Sequence, residues 1–250
     1  MNDQVDGQTC QTGDDVLDSL ESKKVIAPSE STGAADKKLI LDRWGLTHEK
    51  FTKLVDENPS LRGVTLGYVA EMKFHEMFLS HPDVNSIRKD ADHNRKRKGD
   101  RTFSYKGQEF IVEVKSLQTA TAKQKPDGTY VGKSQVDASD KREVTFKDDT
   151  KLATTCLLRG EFDILAVNCY AFGNEWKFAF ARNDKLPQNT HDKYKPEQRA
   201  ELLPTTVVVH WPPVAPYSTD PFTLMDEILA ERAAGQVPMT PEPDVKKIED

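Results

Sequence analysis

Cysteine is scarce: Cys10, Cys156 and Cys169 are the whole complement, and no two form a CxxC pair. An odd total without that spacing leaves no disulfide framework and no zinc site of ordinary ligand spacing, and it fits a reducing, cytoplasmic setting. No run of eighteen apolar residues occurs, so no membrane-spanning helix is expected. The opening MNDQVDGQTCQTGDD lacks the basic and apolar regions of a secretory signal. Also missing are a GxSxG elbow, a GxxxxGK(S/T) phosphate loop and an HExxH motif, which excludes the common serine-hydrolase, ATP-motor and zinc-protease readings. There is no internal repeat. Hydrophobic residues reach only 36% of 250, against 30% charged, so part of the chain is expected to lie outside any packed core.

What is present is unevenly spread. The formal charge of -6 argues against a polyanion partner on average. Yet residues 1–36 hold eight acids against two lysines, whereas residues 88–106 hold eight Lys or Arg against three Asp. We therefore expect a disordered acidic leader over 1–36, a single α/β domain with a helical N-terminal segment over 37–232, and a flexible Pro- and charge-rich tail over 233–250. LILDRWGLTHEKFTKLV has helical spacing with a break at Gly45. NPSLRG reads as a turn, and Leu66, Val69, Ala70, Phe74, Met77 and Phe78 then recur at three and four residues as one amphipathic helix.

VNSI, residues 84–87, suits a short strand, and RKDADHNRKRKGD a solvated loop. RTFSY and QEFIVEVKS around Lys106-Gly107 predict a β-hairpin with Ile111, Glu113 and Lys115 on one face and Phe110, Val112 and Val114 on the other. Polar residues 119–134 read as a long loop and SQVDASDKR as a helical turn. REVTF with KLATTCLL, and FDILAVNCYAF with EWKFAFAR about Gly173-Asn174, predict two further hairpins. TVVVHW closes the strands and LMDEILAERAA suits a terminal helix.

The chemistry concentrates on the first hairpin. Glu113 and Lys115 on one face of an apolar strand carry a desolvation cost that a bound cation would offset. Folding about Lys106-Gly107 brings Asp100 back beside residues 113–115. Two carboxylates, from Asp100 and Glu113, with the Val114 carbonyl, water and a phosphate oxygen make the hard, partly hydrated set that Mg²⁺ favours. Such an ion lowers the pKa of bound water for attack on phosphorus, with Lys115 orienting the water and screening the charge that builds. Asp100, Glu113 and Lys115 are thus the catalytic candidates. The adjoining basic run, Arg95, Lys96, Arg97, Lys98 and Arg101, is placed to grip phosphates. Gln135, Ser139, Lys141 and Arg142, with Asp137 and Asp140 among them, carry the donors and acceptors that base-edge reading needs.

Asp100 followed thirteen residues later by Glu113-Val114-Lys115 resembles the PD-(D/E)XK nuclease superfamily over roughly residues 64–170, with Gly99 where the nominal motif has proline. The resemblance implies a restriction-endonuclease-like mixed central β-sheet flanked by helices, and adds Glu71 of the GYVAEMKF helix as a third acid. It also implies Mg²⁺-dependent cleavage of double-stranded DNA by a type II restriction enzyme. A palindromic target would make it a homodimer, and a DNA methyltransferase is then an expected associate. Two alternatives stay open: a repair, recombination or phage-type nuclease selecting structure, and an inactive nuclease fold that binds DNA or docks a partner.

Overall fold

The computed structural model describes residues 39–89 and 99–235. The expected leader (1–36), most of the expected tail, and Arg95, Lys96, Arg97 and Lys98 lie outside the described residues. The chain divides into one unit up to His48 and a second from Glu49 onward. In the first, α1 (Ile40–Trp44) stops at Gly45, whose left-handed φ of 63° ends the helix where the break was expected. Next comes α2 (His48–Glu57).

In the large unit, α3 (Pro59–Phe78) precedes β1 (Val84–Arg88), β2 (Arg101–Tyr105) and β3 (Gln108–Ser116). After β3 come β4 (Lys123–Gln124), β5 (Tyr130–Gln135), β6 (Asp137–Thr145), β7 (Lys151–Cys156), β8 (Ile164–Asn168) and β9 (Phe178–Arg182). Then α4 (Pro196–Glu201), β10 (Thr206–Trp211) and α5 (Pro221–Ala233) complete it. The expected NPSLRG turn is instead the start of α3, because a proline in the first helical turn has no amide hydrogen to lose and a φ already suited to a helix.

The central sheet runs β1-β2-β3-β8-β9, with β3 and β8 parallel and every other pair antiparallel. The expected mixed sheet flanked by helices is therefore present. All five residues of β8 are buried, as its continuous apolar run requires: Ile164 and Ala166 face one core and Leu165 and Val167 the other. The first core joins α3 and α5 to the sheet through Ala70, Phe74, Phe110, Val112, Phe180 and Met225. Phe78 and Phe180 pack edge to face with centroids 4.9 Å apart. The second core lies over the opposite face, where β5 and β10 pair from Thr206↔Gln135 to Trp211↔Tyr130.

Several expectations change here. The loop expected over 119–134 contains β4 and most of β5, and the helical turn expected at SQVDASDKR is the end of β5 and most of β6. These strands are polar because alternate residues face solvent: Lys133, Gln135, Ser139 and Lys141 are exposed, while Gly132, Ser134 and Val136 are buried. The β8–β9 hairpin exists, but its strands are shorter than expected, ending at Asn168 and resuming at Phe178. Between them Cys169 N–H donates to Lys177 O and Tyr170 packs on Trp176.

Candidate active site

The turn at Lys106-Gly107 has φ of 49° and 78°, the left-handed pair that matches strand twist, and it sets β2 against β3 from Tyr105↔Gln108 to Arg101↔Val112. Beyond that last pair the hairpin is held by Asp100 itself. Its N–H donates to Val112 O at 2.9 Å, and its carboxylate Oδ2 accepts the Val114 N–H at 2.8 Å. Gly99 makes this approach possible. Its φ is 77°, which proline cannot adopt, and a Cβ there would sit 2.3 Å from Ile111 Cγ2 and 3.2 Å from Val112 O. The departure from proline is thus a requirement of this backbone.

Glu113 and Lys115 point to the face opposite Val112 and Val114, and Lys115 Nζ lies 2.5 Å from Glu113 Oε1. Glu113 is only 7% exposed. Burial pushes its carboxyl up to about 7, Lys115 opposes that, and the negative charges of Asp100 and Glu161 add to it. Burial alone would lower the Lys115 ammonium, but Glu113, Asp100 and Asp137 together hold it above the ordinary lysine range. The three sequence candidates therefore share one electrostatic centre.

Other candidates fall elsewhere. Glu71, on α3, is ion-paired with Lys89 at 2.8 Å and with Arg101, the neighbour of Asp100, at 3.3 Å. Arg101 is not a surface grip: it is 8% exposed, and its guanidinium lies between Glu71 and the Asp100 carbonyl, 3.3 Å away. Arg142 is likewise no free base reader. It makes a bidentate pair with buried Glu161 and also donates to Cys156 O. Gln135, Ser139 and Lys141 are exposed, and Gln135 accepts a 3.5 Å contact from Gln118.

Glu161 and Asp137 act on the Glu113–Lys115 pair without having been singled out for it. The polar sequence RGEFD gave no signal for Glu161. Asp137 stood among the base-edge candidates only because it is polar.

Among the described residues no group of three or more His, Cys, Asp and Glu is arranged to hold a metal. A cation at this centre would rest on two carboxylates and the Val114 carbonyl, with water and substrate completing its shell. The donor chemistry fits Mg²⁺, which keeps several waters and takes few protein ligands. A buried Glu113 beside Asp100 also gains from added positive charge.

No protein-family model matches the chain, and no curated protein matches it. Among solved structures, a bacterial homing endonuclease aligns with 69% of this chain and 96% of its own length, at 16% identity and a TM-score of 0.32. Among the described residues no helix is long and apolar enough to cross a membrane.

Proposed function

We propose that this protein is a Mg²⁺-dependent DNA endonuclease of the PD-(D/E)XK kind. One observation carries the reading: Asp100, Glu113 and Lys115 converge on a buried hairpin end, where two carboxylates and an ammonium share a site shut away from most solvent. Such a cluster costs folding free energy unless a ligand uses it, and a buried carboxyl raised as Glu113 is, beside a second acid, is the kind of group found at functional sites.

Asp100, Glu113 and the Val114 carbonyl would hold the ion. Bound Mg²⁺ supplies Lewis acidity toward a phosphate oxygen and a water acidic enough to attack at neutral pH. Lys115, kept protonated by its acidic neighbours, donates to the oxygens that gain charge as phosphorus is attacked. Asp100 fixes the end of β3 through the Val114 amide, so the groups that would hold the ion keep their spacing. Glu71 and Arg101 brace Asp100 from behind. Gln135, Ser139 and Lys141 are exposed polar residues available to meet the duplex, with restriction of foreign DNA by a homodimer as the specific role proposed.

The test is digestion of supercoiled plasmid and unmethylated phage DNA with Mg²⁺, comparing wild type with Asp100→Ala and Lys115→Ala. Discrete fragments from the wild type alone support restriction. A smear, or nicking confined to branched DNA, moves the role to repair or recombination. Equal inactivity of all three removes the nuclease reading.

A further inference from the structure

Glu113 has two partners to serve. In the present arrangement its Oε1 is taken by Lys115 at 2.5 Å. A carboxylate that turns toward a cation shares less of its charge with an ammonium beside it, so Lys115 needs a second acceptor in the same pocket.

The fold supplies one. Leu117 bridges to Ser134 in antiparallel register, Gln118 N–H donates to Lys133 O at 2.8 Å, and Ser134 Oγ donates to Ser116 O at 3.2 Å. These contacts hold Ser134 against the end of β3, three residues before Asp137. Val136 is fully buried in the same core cluster as Leu117, so the chain is held down as it passes the site. Asp137 follows, and its Oδ1 is shut from solvent while accepting no hydrogen bond from any described residue. An uncompensated buried carboxylate oxygen is costly, and it persists where it has a job in another state of the site. Asp137 is also near enough to Lys115 for the two charges to interact, as those of Glu113 and Asp100 do.

We propose that Asp137 is the positioning residue of Lys115: its buried carboxylate oxygen receives the ammonium when Glu113 turns to a cation, keeping Lys115 aimed at the substrate phosphate. This rests on the nuclease reading above. Asp137 touches neither metal nor substrate in this scheme and acts only through Lys115.

The experiment is a double-mutant cycle on the full chain, with wild type, Asp137→Asn, Lys115→Ala and the double variant in single-turnover plasmid cleavage, alongside Mn²⁺ titration calorimetry without DNA. Loss of one charge-assisted acceptor predicts a fall of about thirtyfold in Asp137→Asn, with Asp137→Glu recovering to within about fivefold of wild type. The double variant is expected to cleave no more slowly than Lys115→Ala, and Mn²⁺ affinity to stay within about twofold of wild type. Multiplicative losses would overturn the proposal, as would a Mn²⁺ affinity that falls with cleavage, which would make Asp137 a metal ligand. If the wild type binds Mn²⁺ but cuts nothing, the nuclease reading fails by itself. The pairing is then read from unfolding in saturating Mn²⁺, where a coupling below about twofold between positions 115 and 137 would overturn it.

Discussion

The carboxylate of Asp100 accepts the amide of Val114 at 2.8 Å, so the first acid of the site is bonded to the residue between the other two members. One side chain thereby closes the open end of a hairpin and places a negative charge beside Glu113. Substitutions separate the hydrogen bond from the charge.

Asp100→Asn keeps an oxygen able to accept the Val114 N–H but loses the charge. It is expected to melt within a few degrees of wild type while DNA cleavage drops at least about a hundredfold. Asp100→Ala leaves the amide unmatched and should cost about 1 to 3 kcal/mol as well. Thermal melting beside plasmid cleavage checks both, and an Asn variant as unstable as the Ala variant would show that charge, not the hydrogen bond, holds the hairpin.

Gly99 is expected to tolerate no side chain. Alanine there meets Ile111 Cγ2 at 2.3 Å in a left-handed conformation, which predicts a loss of at least about 3 kcal/mol in urea unfolding. Adding Ile111→Ala should return part of that loss by removing the clash, leaving the backbone strain. Restoring the proline of the nominal motif, Gly99→Pro, is expected to be worse than alanine.

Glu113 makes stability depend on pH in a definite direction. Its carboxyl is raised from 4.5 to about 7 by burial first, so the fold keeps a proton that the unfolded chain has released. The contribution is complete below about pH 4.5 and is lost as pH climbs through 7, on the order of a few kcal/mol in the metal-free protein. Relative to wild type, Glu113→Gln should therefore gain stability between pH 5 and pH 8. Mg²⁺ favours the ionised carboxylate, so it should raise the wild-type melting temperature more at pH 8 than at pH 6, and the Gln variant should lose this response.

Arg142 and Lys141 are adjacent but should behave differently. Arg142→Ala removes the bidentate counter-charge of the buried Glu161 carboxylate and is expected to cost about 3 kcal/mol in unfolding free energy. Lys141 is exposed, so Lys141→Ala should leave melting unchanged while lowering the salt dependence of DNA binding by roughly one counterion. Filter binding across a salt series distinguishes the two.

How far these features could be read from sequence depended on the range of the interactions behind them. The β2–β3 hairpin was legible because Lys106-Gly107 is a local signal, and counting outward from it put Asp100 beside Glu113. The parallel partner β8 was legible as a buried strand from its apolar run, though not as the neighbour of β3. Arg101 and Arg142 were misplaced on the surface because their partners, Glu71 and Glu161, lie 30 and 19 positions away. The end of β6 was legible in REVTF, but β5 and the first half of β6 were missed because alternate residues there face solvent, which dilutes the apolar pattern. Gly132 carried no legible signal either: a Cβ there would meet the Phe172 ring at 3.0 Å, a close packing no composition rule detects.

The parallel pairing of β3 with β8 also sets when the site comes into being. The Ile111 amide is held by Asp163, 52 positions further along, and Glu113 lies opposite Leu165. A chain emerging from the ribosome forms the β2–β3 hairpin early, with its acids and lysine still in water. The second wall of the pocket arrives only after β8 has been made and has closed a long loop. Until then Glu113 titrates as an ordinary carboxylate and Lys115 has no enclosure to aim it. The site proposed on the hairpin is therefore complete only once β8 has been made and has docked beside β3.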